Sequence, residues 1–268
     1  MTTQELYCLL DLPQEVIDLL NDHAQNDLSW LTAEMKLLYY HRSTTSDGLD
    51  AIKNKLGEDP DGLKLLWVLL EMARETYDDY ARRGISKEIF AETMKFTTRF
   101  LNTHKQQHGT YAFIWAWWFW RELSMVEYRI GCLEYELVEE NDHREISLHI
   151  PSDADMSPAA VQASMDAFRA FLAQQYPDWQ NEPWVCDSWM MSPALQELLS
   201  EESNILAFQN RFKAVSTDED GLGVLDWVFP PHKTVSADLP ETTSLQKRMK
   251  AWLLSGKKVG WTRSIMVK

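Results

Sequence analysis

The apolar residues of this 268-residue chain change their period near residue 126, and that change limits the fold more than any other feature. Before it, they recur every three or four residues. Pro13–His23 begins with a proline and sets Val16, Ile17, Leu19 and Leu20 at helical spacing. Asp59-Pro60 opens a longer segment through Leu63, Leu66, Trp67, Leu70 and Tyr77 that runs to Arg83 and stops at Gly84. A further helix is expected from Ser86 to just before Gly109. Tyr111–Met125, apolar on almost every side, reads as another, buried one. After residue 126 the period shortens. Tyr128–Val138 and Arg144–Ile150 alternate like strands, joined by a turn at Asn141-Asp142. Ser157-Pro158 starts a helix that reaches about Gln175. Pro183–Met190 reads as a strand, Ser192-Pro193 as a short helix start and Asn204–Val215 as a strand. Thr217–Phe229 holds a short helix, Thr242–Leu254 is a helix, and Lys258–Val267 is the last strand. The expected class is α+β, with an all-helical domain over residues 1–126 and a mixed α/β domain over 127–268.

The formal net charge of −15 argues against nucleic acid and anionic membrane surfaces as partners, because the mean field repels both. The charge is uneven. Up to Gln246 there are 19 Lys and Arg against 41 Asp and Glu; from Lys247 onward there are seven basic residues and no acidic one. Three isolated cysteines, Cys8, Cys132 and Cys186, offer no disulfide framework and suit a reduced, cytoplasmic protein. Met1–Leu12 lacks the cationic start of a signal peptide, and the apolar run Tyr111–Trp120 is too short to cross a bilayer.

Several segments of the chain resemble, in order, a bacterial acyltransferase-domain family. These are Arg83-Gly84-Ile85, Tyr128–Leu137, Leu148–Pro151, Val185–Met190, Ser203–Phe212 and Leu239–Gln246. Its members pair a helical N-acyltransferase amino-terminal domain with a GNAT-like carboxy-terminal domain. The resemblance covers most of the chain from about residue 60. It implies a GNAT-like mixed α/β domain with a central, mostly antiparallel sheet. It also implies an acyl-CoA-dependent N-acyltransferase, with acyl-CoA or acetyl-CoA as donor, a small-molecule amine as acceptor and no metal. The cofactor loop would be His149–Ser157, where Ile150, Pro151, Ser152 and Ser157 lead into a helix whose amino terminus can hold the diphosphate. This loop departs from the usual basic, glycine-bearing pattern, since it has no glycine and carries Asp153 and Asp155. Either the aspartates turn away as caps, or the chain is a degenerate GNAT-fold ligand-binding or interaction protein. Lys257 and Lys258, in the basic carboxy-terminal stretch, are candidates to grip CoA phosphates; the alternative is that they complement a helix end.

A two-residue turn at Asn141-Asp142 fixes the register of the hairpin. Glu134 then faces His149, Glu136 faces Ser147, and Val138 faces Glu145. Leu133, Tyr135, Leu137, Ile146, Leu148 and Ile150 form the opposite, apolar face. Cross-strand neighbours can hydrogen-bond, so Glu134 is the expected partner of His149. A carboxylate beside an imidazole raises its basicity, and an amine acceptor must lose a proton to become the nucleophile, which makes His149 the candidate general base. Ser188 is a candidate donor to the acyl carbonyl or the pantetheine amide, unless it bonds local backbone. Cys186 reads as a buried thiol. The family's tyrosine acid has no counterpart around Pro193–Leu199. His104 and His108, four apart, make half a metal site with no third ligand placed. The aromatic run from Trp115 to Trp120 is expected in the core, while Trp117 and Trp120, with Glu136, are the candidate lining of a substrate pocket.

Overall fold

The computed structural model describes residues 1–23, 26–218 and 223–267, and the chain forms two units, Met1–Arg129 and Ile130–Lys268. The first is helical: α1 (Thr3–Leu9), α2 (Gln14–Asn21), α3 (Ala33–Tyr40), α4 (Thr45–Leu56), α5 (Leu63–Arg83), α6 (Lys87–Met94), α7 (Phe96–His108) and α8 (Trp120–Leu123). At 21 residues α5 is about 31 Å long, and it is the axis of the unit. Leu65, Leu66, Trp67, Val68, Leu69 and Leu70 are all buried, so its first half is covered on every side; along its length α5 packs against α1, α2, α4, α6 and α8, with Phe90 of α6 against Tyr77 and Tyr80. Asp59 caps it from outside, accepting hydrogen bonds from the Lys64 and Leu65 amides at 3.1 and 2.9 Å. Gly84, in the left-handed region, ends it behind Arg82 and Arg83, as the sequence indicates.

Two helical expectations need correction. The segment from Ser86 to Gly109 is two helices meeting at Lys95, beside which the Thr97 hydroxyl takes up the Met94 carbonyl. Tyr111–Met125 is not one helix, because only Trp120–Leu123 closes a helical turn. Upstream of it, tertiary bonds replace the helical ladder. The Phe113 amide donates to the Asp61 carbonyl at 2.7 Å, and the Tyr39 hydroxyl donates to the Ala116 carbonyl. Phe113, Phe119 and Trp120 are buried as expected, but Trp117 is 50% exposed.

The second unit is built on a six-stranded sheet whose first strand begins in the last residues of the first unit. β1 (Glu127–Ile130) leads into β2 (Leu133–Glu140) and β3 (His143–His149), followed by α9 (Pro158–Gln175) and β4 (Trp184–Ser188). Then come α10 (Leu195–Leu198), α11 (Asn204–Gln209), β5 (Phe212–Asp218), α12 (Val224–Val228), α13 (Ser244–Leu254) and β6 (Trp261–Met266). The strand order is β1-β2-β3-β4-β6-β5. β3 and β4 pair in parallel, whereas the β2–β3, β4–β6 and β5–β6 ladders are antiparallel.

The hairpin register agrees with the sequence reading at every pair, from Glu134↔His149 to Val138↔Glu145. Asn141 and Asp142 both adopt positive φ, which only a few residue types tolerate and which two-residue hairpin turns require. The single strand expected over Tyr128–Val138 is interrupted at Gly131, whose φ of 68° turns the chain. A Cβ there would lie 2.9 Å from that of Ser164. Asn204–Val215 is likewise not one strand, since its first half forms α11. α9 covers the apolar sheet face: the Tyr135 ring stacks on Phe168 at 3.9 Å, and the Ser164 hydroxyl meets that of Tyr135 at 2.8 Å.

Candidate functional site

The sheet face opposite α9 carries the titratable groups. His149 ends β3, and its Nε2 lies 3.0 Å from a carboxylate oxygen of Glu136. Glu134, the expected partner, is directly opposite; this hydrogen bond runs diagonally to Glu136. Glu136 is 3% exposed, so its negative end is well shielded from water. This contact fixes the orientation of the imidazole ring. Glu134 and Ser147 are buried on the same face.

Further along this face lies a charge network that the sequence reading missed. Arg263 of β6 is paired with Glu145 of β3 and is the cross-strand neighbour of Asp187 in β4. Burial pushes the Glu145 carboxyl up, but hydrogen bonds from Arg263 and His143 outweigh it and hold the group below the usual glutamate range. Asp187 goes the other way: burial raises it, and Arg263 only partly compensates. A signal existed, since Asp187 and Arg263 are single charges within otherwise uncharged strand segments. Without the order of β4 and β6, nothing joins them.

The parallel β3–β4 ladder consists of Ile146↔Trp184 and Ser147↔Val185, and both strands run on past it, to His149 and Ser188. His149 therefore stands where the two strands have ceased to pair. Ser188 is occupied locally, its hydroxyl accepting from the Met190 amide at 3.1 Å. Cys186 is fully buried, and burial pushes its thiol up to about 12, so it offers no thiolate.

Ile150, Pro151 and Ser152 follow His149 directly, and Ser157 caps α9 through its hydroxyl, 3.4 Å from the Ala160 amide. The Asp155 carboxylate accepts from the Ser157 amide at 2.9 Å, which holds this carboxyl below the usual range. The aspartate thus bonds the N-cap residue's own amide, just outside the helix that Ser157 caps. Lys257 lies 3.9 Å above the Trp252 ring and 3.6 Å from Glu197, and the Lys258 carbonyl accepts from the Trp252 indole.

In the helical unit, Trp117 and Trp120 line one cavity of about 280 Å³. Glu136, the third residue of that candidate lining, bonds His149 in the second unit. His104 Nδ1 sits 2.7 Å from the Thr110 carbonyl, with the His108 ring 4.5 Å away.

Comparison with known proteins bears on both units. Residues 1–125 match the model of an N-acyltransferase N-terminal domain, and residues 127–266 that of a GNAT-like C-terminal domain. No curated protein sequence matches the chain. Among solved structures, it is similar to an acyltransferase in complex with decanoyl-CoA and teicoplanin, with a TM-score of 0.82 at 21% identity over 98% of this chain and 87% of that one. An acyltransferase mutant in complex with octanoyl-CoA gives 0.82 at 20% identity, again over 98% and 87%. An acyltransferase with CoA and 10C-teicoplanin gives 0.72 at 20% identity, over 99% of each chain. At such identities the likeness is one of fold.

Proposed function

This chain belongs to the family that joins an N-acyltransferase N-terminal domain to a GNAT-like C-terminal domain, and we propose that it transfers an acyl group from a CoA thioester to the amine of a small molecule. The observation that carries this reading is the His149–Glu136 pair at the point where β3 and β4 cease to pair. There, strand backbone is available to an extended amide-bearing chain such as pantetheine, beside a base of fixed orientation. His149 takes a proton from the acceptor amine. The nitrogen then bonds to the thioester carbonyl carbon, the C–S bond breaks, and CoA thiolate leaves to be reprotonated.

In this reading Glu136 orients His149, and Glu134 lies directly across the ladder from it. Ser188 alternates with Asp187 along β4, onto the face that α9 covers, so in this reading it keeps its local bond to the Met190 amide. Ile150, Pro151, Ser152 and Ser157 bring the diphosphate to the amino terminus of α9, and Lys257 and Lys258 neutralise phosphate. Asp187 supplies a carboxylate for the acceptor's ammonium. The similar acyltransferases hold octanoyl- and decanoyl-CoA, which supports a medium-chain donor, and one holds teicoplanin, which supports a bulky amine as acceptor. Among the described residues no helix is long and apolar enough to cross a membrane, in keeping with a cytoplasmic enzyme.

A second reading, a degenerate GNAT-fold binding protein, is favoured by one observation. Asp155 occupies the Ser157 amide, and a diphosphate would have to displace it against like charge. Thermal shift with CoA, acetyl-CoA and decanoyl-CoA separates the two. The enzyme reading expects stabilisation by at least one thioester, and His149→Ala abolishing turnover with that shift intact. No shift at millimolar ligand leaves the binding-protein reading ahead.

A further inference from the structure

We infer that the carboxy-terminal end of α7, in the helical unit, binds one divalent transition-metal ion, held by His104 and His108 and completed by water. Residues four apart lie on one face of a helix, one turn above the other, and paired histidines at that spacing are a recurrent metal-binding arrangement. The spacing alone puts both rings on one side of α7. The structure adds how closely they approach and how one of them is oriented. Their ring centres are 4.5 Å apart, with the planes inclined at 38°. Two nitrogens on one tetrahedral ion, at bonds of about 2.0–2.1 Å, lie about 3.3 Å apart, so rings this close need only a side-chain rotation to share it.

His104 is the fixed member. Gly109, at a φ of 76°, turns the chain, and the Thr110 carbonyl comes 2.7 Å from His104 Nδ1. A carbonyl only accepts, so Nδ1 carries the hydrogen of this bond, and in the neutral ring the lone pair is on Nε2. Metal-ligating histidines are held in this way, with the second ring nitrogen donating to a carbonyl or carboxylate. His108 is exposed and makes no hydrogen bond among the described residues, so it is the member that can turn to meet an ion. The charge around the pair also suits a cation. Both residues are in the last turns of a thirteen-residue helix, whose carbonyls without helical partners form a negative end. Lys105, between them, is drawn off: its Nζ lies 3.0 Å from Glu15 and 4.6 Å from the centre of the Tyr111 ring. Among the described residues no thiolate or carboxylate joins the two rings. Imidazole ligands select ions such as Zn²⁺ and Ni²⁺ over Mg²⁺ and Ca²⁺, which require oxygen.

The site is independent of the acyltransferase reading. It is tested by calorimetry on the full chain, stripped of metal with a chelator, using Ni²⁺ and Zn²⁺ with Mg²⁺ as control. Ni²⁺ and Zn²⁺ should each fill one strongest site per chain that Mg²⁺ does not compete for. His108→Gln should weaken that site about tenfold or more while leaving the metal-free Tm unchanged, since no hydrogen bond is lost. His104→Gln should weaken it at least as much. His149→Gln and Cys8→Ser, which alter other metal-binding groups, should leave it unchanged. Long-range nitrogen NMR of the metal-free protein should show neutral His104 protonated at Nδ1, and stoichiometric Zn²⁺ should shift the ring nitrogens of both His104 and His108. Binding that His108→Gln retains, binding that His149→Gln or Cys8→Ser removes, equal competition by Mg²⁺, or no binding of either ion at millimolar concentration overturns the assignment.

Discussion

The β2–β3 hairpin and the aromatic segment from Tyr111 to Leu123 are both strongly patterned, yet one folds as its sequence reads and the other does not. In the hairpin, alternation says which face each side chain takes, and Asn141-Asp142 says where the chain reverses. Two local signals overlap and leave a single register. The aromatic segment has one signal only, apolarity, and it points in every direction. Its shape follows from partners far away in sequence, Asp61 for the Phe113 amide and Tyr39 for the Ala116 carbonyl. Density of apolar residues indicates burial; it does not supply a conformation.

Substitutions can break or sharpen this contrast. Trp117 and Trp120 are three residues apart and identical in type, but one is 50% exposed and the other 4%. Trp120→Ala should cost about 3–5 kcal/mol of unfolding free energy and Trp117→Ala under about 1 kcal/mol, read from urea denaturation. Similar losses would mean that the segment is one buried unit after all. In the hairpin, Glu136→Gln should lower kcat about ten- to a hundredfold, or about 1.4–2.7 kcal/mol, with less effect from Glu134→Gln. The reverse order would restore the directly opposite residue as the partner of His149. Gly131→Ala tests the turn that ends β1. A positive φ and a close approach to Ser164 should cost about 1–3 kcal/mol, measured by the same denaturation.

The smallest effect is a pH dependence. The Glu145 carboxyl is held below its ordinary range in the folded chain, so folded protein binds its proton less readily than unfolded protein does. Its contribution is therefore complete above the unfolded glutamate pKa of about 4.3 and is lost as pH falls through the lower, folded value. The stability gap between the native chain and Glu145→Gln should be flat at neutral pH and shrink below that range. A gap that widens on acidification would contradict the Arg263–Glu145 pairing.

Much of the second unit was legible. Ser157-Pro158 marks the start of α9, and the helix ends at Gln175 as its pattern indicates. Gly84 marks the end of α5 for the same kind of reason, a residue type whose backbone preference matches the required conformation. The boundary between α11 and β5 was not legible. Ile205, Leu206, Phe208 and Phe212 suit either period over so short a run. The candidate site shows the same split. The register placed Glu134, Glu136, Ser147 and His149 on one face, but not the diagonal bond from His149 to Glu136. That choice depends on side-chain rotamers on a twisted sheet, where the diagonal neighbour is also within reach.

What this sequence determined by itself is what acts over a few residues: the two hydrophobic periods, the capping and turn residues, the hairpin register, and the clustering of cations after Gln246. The tertiary structure decided what joins distant segments. It brought Arg263 to Glu145 across 118 residues of chain and set Arg121 beside the same indole as Arg42, at the start of α4. The reason is physical. Short-range preferences are carried by single residue types through sterics and local hydrogen bonds, whereas the pairing of remote charges depends on strand order and helix packing, which many sequences of the same pattern could satisfy differently.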